Sequence, residues 1–148
     1  LTNIIISLCK IKLFIYIWLF FIKYMNDKTY PIPKNLSECF TALDNIFLES
    51  QEDLEWFKAS PEDEAVSGFH SGLGRILRNE WGLWSKDTEL YTVLNEMGLW
   101  HADDMYGLIM TSYYRKLHGE ELNLKEQIQQ FINYWKDYEK MNGPVEKD

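Results

Sequence analysis

Basic residues are scarce in this chain: 15 Lys and Arg stand against 23 Asp and Glu, a formal charge of −8. Binding a phosphate backbone needs clustered cations, so no nucleic-acid partner is expected. Cysteine is scarcer still. Cys9 and Cys39 are the only two, with no Cys-x-x-Cys between them, so no disulfide framework is encoded and a reducing compartment is permitted. Sustained period-two alternation is missing, which excludes a strand-based fold. There is no internal repeat, and no His-x-x-x-His pair of the kind a zinc helix carries.

The first 24 residues lack Gly, Ala, Val, Pro and every acidic residue. Lys10 and Lys12 leave Leu13–Ile22 as the unbroken apolar run, while spanning a bilayer takes about 20 such residues. A signal peptide would need small residues before its cleavage site, and none stands before Met25. Ile, Lys, Phe, Leu, Tyr and Asn all have AT-rich codons, so translated upstream DNA would also read this way. The segment is thus a mis-assigned start, an anchor or an export signal. We expect translation from Met25 and a cytoplasmic product. If residues 1–24 are expressed, the protein is membrane-anchored or exported instead. From Met25 onward the balance is 12 basic against 23 acidic residues, or −11.

The remainder reads as a single all-α domain of five or six helices, with an extended lead-in at 25–34, a helical body at 35–141 and a frayed tail at 142–148. Pro31 and Pro33 disfavour helix in the lead-in. Asn35 and Glu38 form a capping box before the stripe Leu36, Cys39, Phe40, Leu43, Ile46 and Phe47, which makes Cys39 a buried thiol. Ser50 restarts a short helix carrying Leu54, Trp56 and Phe57. Ser60-Pro61-Glu62-Asp63 combines a cap, a Pro at the first helical position and acids on the positive dipole end. That helix is expected to run to about Glu80, with Ala65, Gly68, Gly72 and Ile76 as a small-residue stripe for close helix packing. Trp81–Ser85 follows as a tight aromatic turn. Thr88–Met97 stops at Gly98, and His101–Leu117 stops at Gly119 with Met105, Leu108, Ile109 and Ser112 inward. Asn123, with Glu126, caps a last helix whose stripe is Leu124, Ile128, Phe131, Trp135 and Tyr138.

Two blocks carry the remaining information. One is His70-x-Gly72-Leu73-Gly74-x-x-x-Arg78-Asn79-x-Trp81-Gly82-Leu83-Trp84. The other is Gly98-x-x-His101-x-Asp103-Asp104-Met105-x-Gly107-x-Ile109-x-x-Ser112-x-x-Arg115-x-Leu117-x-Gly119. With the lead-in Ile32-Pro33-Lys34-Asn35-Leu36 and the Leu124–Gln127 turn, they resemble an uncharacterised bacterial family of small helical domains of unknown function. The resemblance covers about Pro31 to Trp135 and implies fold boundaries without an activity. This chain departs from the family at Ala102, where Pro is usual, at Tyr106, where Ser is usual, and at Arg75-Ile76, where the pair is usually more apolar. Some relatives carry export signals.

Each block supports more than one chemistry. His101-x-Asp103-Asp104, with His70, has the donor types of a divalent-metal or acid–base cluster, but acids in the first turn of a helix are also simply favoured by its free N–H groups. Arg78, Asn79, Trp81 and Trp84 could grip an anionic or planar ligand. Alternatively Arg78 pairs internally with Asp103 or Asp104, tying the blocks together. Gly72-Leu73-Gly74 lies inside a helical pattern, where a phosphate loop would not. Ser71, Ser112 and Cys39 offer no activated nucleophile, and His118 suits a helix C-terminus.

No catalytic set, cofactor or metal is therefore expected. The reading is a protein–protein interaction module, immunity-type or regulatory, with a protein partner of basic character. The alternative is an enzyme, or a small-ligand or metal binder, using His70, Arg78, His101, Asp103 and Asp104. Candidate ligand or partner residues are these five with Asn79, Trp81, Trp84, Trp100 and Arg115. Trp100 is expected at the surface. Intact mass of the protein from its native host is expected to match a Met25 start; peptides from Leu13–Lys23 would overturn that start.

Overall fold

A computed structural model describes residues 31–146, and the expectations about Met25 and residues 1–24 lie outside the described residues. Seven helices lie among the described residues, with no strand: α1 (Leu36–Leu48), α2 (Gln51–Ala59), α3 (Glu62–Gly68), α4 (Leu73–Glu80), α5 (Glu89–Glu96), α6 (Ala102–His118) and α7 (Leu124–Asn142). The all-α expectation therefore holds. None of these helices is long and apolar enough to cross a membrane.

The fold is organised around α6, against which α1, α2, α3, α4 and α7 all pack. Ten of its 17 residues are buried, among them Met105, Leu108, Ile109 and Ser112 as expected. A helix covered on most sides needs apolar residues almost all round, and Tyr106, Met110 and Tyr113 supply the faces that the stripe alone did not show. The buried tyrosines keep their hydroxyls satisfied by reaching other elements. Tyr106 donates to the Val66 carbonyl at 2.8 Å, Tyr113 to Asp44 at 2.9 Å and Tyr114 to the Ser60 carbonyl at 2.9 Å. The two bonds to carbonyls contribute about 0.5–1.5 kcal/mol net each and the one to the Asp44 carboxylate about 1.5–3 kcal/mol, whereas a buried hydroxyl without a partner costs about 1–3 kcal/mol. Burial pushes the ionisation of Tyr106 and Tyr113 upward, so both remain neutral phenols. Phe47 stacks on Tyr113 at 5.8 Å and meets Phe57 and Phe69, filling the space between α1, α2 and α6.

Several local signals act as read. The Asn35 carboxamide oxygen accepts the Glu38 amide at 3.0 Å, and the Glu38 carboxylate reaches back to the Lys34 amide at 2.9 Å. Thr88 caps α5 through the Tyr91 amide at 3.2 Å. Gly98 and Gly119 adopt φ of +107° and +68° just past the ends of α5 and α6, a conformation that costs other residues about 1–2 kcal/mol. Cys39 is a buried free thiol, its ionisation suppressed by burial. His118 ends α6 and ties it to α2, with Nδ1 2.8 Å from the Tyr114 carbonyl and Nε2 3.0 Å from the Lys58 carbonyl.

Other signals are used differently. The helix expected from Ser60 to Glu80 breaks at residues 69–72 into α3 and α4, which makes seven helices instead of six. The Gly74 amide bonds the Phe69 carbonyl at 2.8 Å, one residue further back than an α-helix would reach. The break brings the Gly74 backbone onto the Tyr106 ring, where an added Cβ would lie 2.7 Å from Cε2. The Ser60 hydroxyl bonds back to the Trp56 carbonyl at the end of α2, and Pro61 takes the cap position of α3. Asn123 makes no side-chain cap. It is left-handed at φ +50°, and the adjoining turn is held instead by the buried Gln127, which donates to the Leu122 carbonyl at 2.7 Å and to Ser112 Oγ at 3.2 Å.

Two glycines separate packing from backbone strain. Gly74→Ala meets the Tyr106 ring and the Phe69 carbonyl, and overpacking of this kind costs typically about 1–3 kcal/mol or more. Gly119→Ala meets nothing within 4 Å and carries only its left-handed strain, about 1–2 kcal/mol. Urea unfolding is expected to rank Gly74→Ala as the more destabilised variant, and to show the Tyr106 environment disturbed in that variant alone.

Candidate functional site

The break between α3 and α4 frees backbone groups as well as making room. His70 lies within it, and the His70 carbonyl, released from the helical ladder, accepts Arg78 Nη2 at 3.1 Å. Arg78 projects from the last turn of α4. Its side chain is only 8% exposed, and Nε lies 3.2 Å from Asp103 Oδ1. The guanidinium carbon sits 5.2 Å from the Tyr106 ring centroid, a cation–π contact. Nη1 is buried without a hydrogen-bond acceptor. The pairing that joins the two sequence blocks is thus Arg78 with Asp103.

Asp103 is shared by three groups. The oxygen facing Arg78 also accepts His70 Nε2 at 3.3 Å. Its backbone amide donates to His101 Nδ1 at 3.2 Å, which makes the His101 side chain the N-cap of α6. An accepting Nδ1 places the ring proton of neutral His101 on Nε2. His70 and Asp103 are half-exposed, so this carboxylate stands at the surface between two imidazoles with a buried guanidinium behind it.

Asp104 turns the other way. It is buried and accepts the indole N–H of Trp135 at 2.6 Å, joining α6 to α7. Burial raises its ionisation above the ordinary aspartate range; the Trp135 hydrogen bond and nearby His101 oppose that rise, and neighbouring Asp103 adds to it.

Around His101 the rings form a continuous series. Trp84 and Trp100 meet it edge-on at 5.4 and 5.5 Å, and Trp135 lies 5.3 Å away. Trp100 and Trp135 are 4.7 Å apart, and Tyr134 and Tyr138 extend the series along α7. Trp84 is 52% exposed and Tyr134 59% exposed. Trp100, expected at the surface, is only partly exposed because α7 folds Trp135 against it. Among the described residues, the exposed indoles are Trp84 and Trp56 instead.

The other candidates stand elsewhere. Trp81 is 1% exposed and belongs to the core. Asn79 is exposed and contributes its carbonyl to the Gly82 amide at 3.2 Å. Arg115 is spent on Glu62 through a two-pronged pair at 2.8 and 2.9 Å and on the Leu122 carbonyl at 3.1 Å. Hydrogen bonding to Glu62 pushes the ionisation of Arg115 up. The residues missed by sequence reasoning are Tyr106, Tyr134 and Tyr138. Tyr138 was legible only as a core position of the last helix, and Tyr106 as a departure from a family pattern. Among the described residues, no three His, Cys, Asp or Glu side chains are grouped to hold a metal ion.

Fold and site together define a small all-α domain whose two sequence blocks meet through one shared carboxylate. The chain belongs to the family described as a domain of unknown function (DUF6794), whose match spans residues 32–117. That span includes the first block and the second as far as Leu117, and ends within α6, so α7 with Trp135 lies beyond it. No curated protein and no solved structure matches the chain.

Two measurements follow from this geometry. A double-mutant cycle of Arg78→Ala and Asp103→Ala is expected to show a coupling within about 0.5–3 kcal/mol in unfolding free energy, as for contacting charged partners. For Asp104 the folded-state ionisation is raised, so the folded protein holds the proton more tightly than the unfolded chain. The stability cost of the ionised group therefore grows as pH climbs from 3.8, the ordinary value, through the raised folded value, and is constant above it. Asp104→Asn removes this titration and keeps an acceptor for Trp135. Urea midpoints across that range are expected to move in favour of the variant, relative to the native protein, as pH rises.

Proposed function

We propose that this protein is a protein–protein interaction module that binds through the aromatic face formed by Trp84, His101, Trp100, Trp135, Tyr134 and Tyr138. The observation that carries this reading is the half-exposed state of Trp84 and Tyr134 at the two ends of one continuous ring series. Isolated surface aromatics need no explanation, but a contiguous set does, and Trp and Tyr dominate the energetics of protein interfaces. The Arg78–Asp103–His70 network serves this face as a support. It holds the first turn of α6, and with it the His101 cap, at a set position against α4. A domain of this design acts by occupying a partner, as a regulatory or immunity-type protein does.

The competing reading is an enzyme, or a small-ligand or metal site, on His70, Arg78, His101, Asp103 and Asp104. It is weakened by how those groups are spent. Arg78 is buried and engaged by His70 and Asp103, Asp104 is engaged by Trp135, and His101 Nδ1 by the Asp103 amide. The functionality left over is His70 Nδ1, His101 Nε2 and the second oxygens of Asp103 and Asp104.

The test is affinity capture from the native host with the full chain, comparing the native protein with the Trp84→Ala/Tyr134→Ala variant. Loss of hot-spot aromatics costs about 2 kcal/mol or more in binding. The variant is expected to lose the captured protein by more than about tenfold while its thermal midpoint stays close to native, because both side chains are exposed. Undiminished capture by a folded variant would overturn the aromatic face as the binding surface.

A further inference from the structure

We infer that the partner segment seated on this aromatic face is cationic, with an arginine side chain lying against the exposed indole of Trp84 or the phenol rings of Tyr134 and Tyr138. This rests on the reading of the face as a docking surface and adds the chemistry of what docks. The first argument is the ring series itself. Indole and phenol faces carry negative quadrupoles, and a guanidinium stacks on them as well as attracting them electrostatically. Trp84 and Tyr134 present unused ring surface to solvent at opposite ends of the series.

The second argument is charge complementarity. The chain carries −8 overall, so an approaching cationic segment is attracted and an acidic one repelled. At the face, Asp103 and Asp104 stand in the first turn of α6. Asp87 follows Trp84 by three residues, and Asp137 and Glu139 flank Tyr138. The nearby cations are Arg78, Lys86, Lys136 and Lys140. Arg78 is held by Asp103 and Lys140 by Asp137 at 2.7 Å, which leaves Lys86 and Lys136. The same two pairs occupy Asp103 and Asp137, so the groups around the rings are nearly balanced in charge, and the pull on a cationic segment comes from the acidic excess of the whole chain. The positive end of the α6 dipole, which would otherwise favour an anion here, is covered by Asp103, Asp104 and the His101 cap.

The probe is a short fluorescent peptide of alternating arginine, glycine and serine, titrated into the full chain at low and physiological salt. Its lysine, glutamate and glycine–serine counterparts serve as controls. The arginine peptide is expected to bind best and the lysine peptide more weakly, because an ammonium does not stack. Binding should weaken as salt rises. The deciding comparison uses Trp84→Ala and Tyr134→Ala, singly and together, since neither changes the protein's charge. Docking on the rings predicts a loss of about tenfold or more in the double variant, equivalent to 1.4 kcal/mol. Should the double variant melt, each single variant provides the same comparison.

Undiminished binding by the folded variants would show attraction to the acidic body alone, and would overturn the inference. Equal binding of the glutamate or glycine–serine peptide, or no binding of the arginine peptide, would overturn it as well. Either failure is distinguishable from failure of the docking reading. If host capture still depends on Trp84 and Tyr134 while the arginine peptide fails, the face docks a partner of other chemistry. If capture is independent of both rings, the face itself is not the interface.

Discussion

A helix that buries ten of its 17 side chains needs a polar solution on every side, and the domain is built from the solutions found for α6. Its tyrosines reach Val66, Asp44 and Ser60, its Ser112 meets Gln127, and its Asp104 takes the Trp135 indole. The tyrosine bonds reach α1, α3 and the turn between α2 and α3, and the other two reach α7. Burial therefore supplies the driving force, while the hydrogen bonds set where each surrounding element can sit. Losing one partner would leave a polar group stranded in a dry interior, which costs more than the bond itself contributes.

The N-terminal end of α6 is where this scaffold becomes a surface. His101 caps the helix, Asp103 binds the buried Arg78 and the half-exposed His70, and Asp104 holds α7 in place. Three short stretches of chain are locked together there, and the rings of Trp84, Trp100 and Trp135 are fixed around His101 as a consequence. A rigid set of aromatics loses little side-chain entropy on binding, which favours such a face for recognition. In this arrangement the charged residues position the aromatics, which under the proposed function supply the contact.

Much of the fold was legible from local chemistry. Asn35 with Glu38, Thr88, Gly98 and Gly119 mark helix ends through interactions within a few residues, so their reading does not depend on the rest of the molecule. The stripe Leu36, Cys39, Leu43 and Phe47 likewise needs only a 3.6-residue period. The pairing of Arg78 with an aspartate was legible because one ion pair would tie the two blocks together and the second block offered two carboxylates. Local signals misled where another residue, near or far in the chain, competed for the same group. Ser60 bonds the end of α2 before it can cap α3, and Arg115, which looked available for a ligand, is held by Glu62. Asn123 gives up its cap because Gln127 already secures the turn.

Periodicity, caps and composition were enough to determine an acidic all-α domain with two linked blocks, because these depend on neighbours along the chain. Tertiary structure alone decided that α3 and α4 separate, since the break is stabilised by Gly74 against Tyr106 and by Arg78 on the His70 carbonyl. It also decided which tryptophans face solvent. Trp100 is covered by Trp135 from a helix more than thirty residues away, while Trp84 has no such cover. Exposure is a property of what packs on a side chain from elsewhere, and no pattern of neighbours in sequence encodes it.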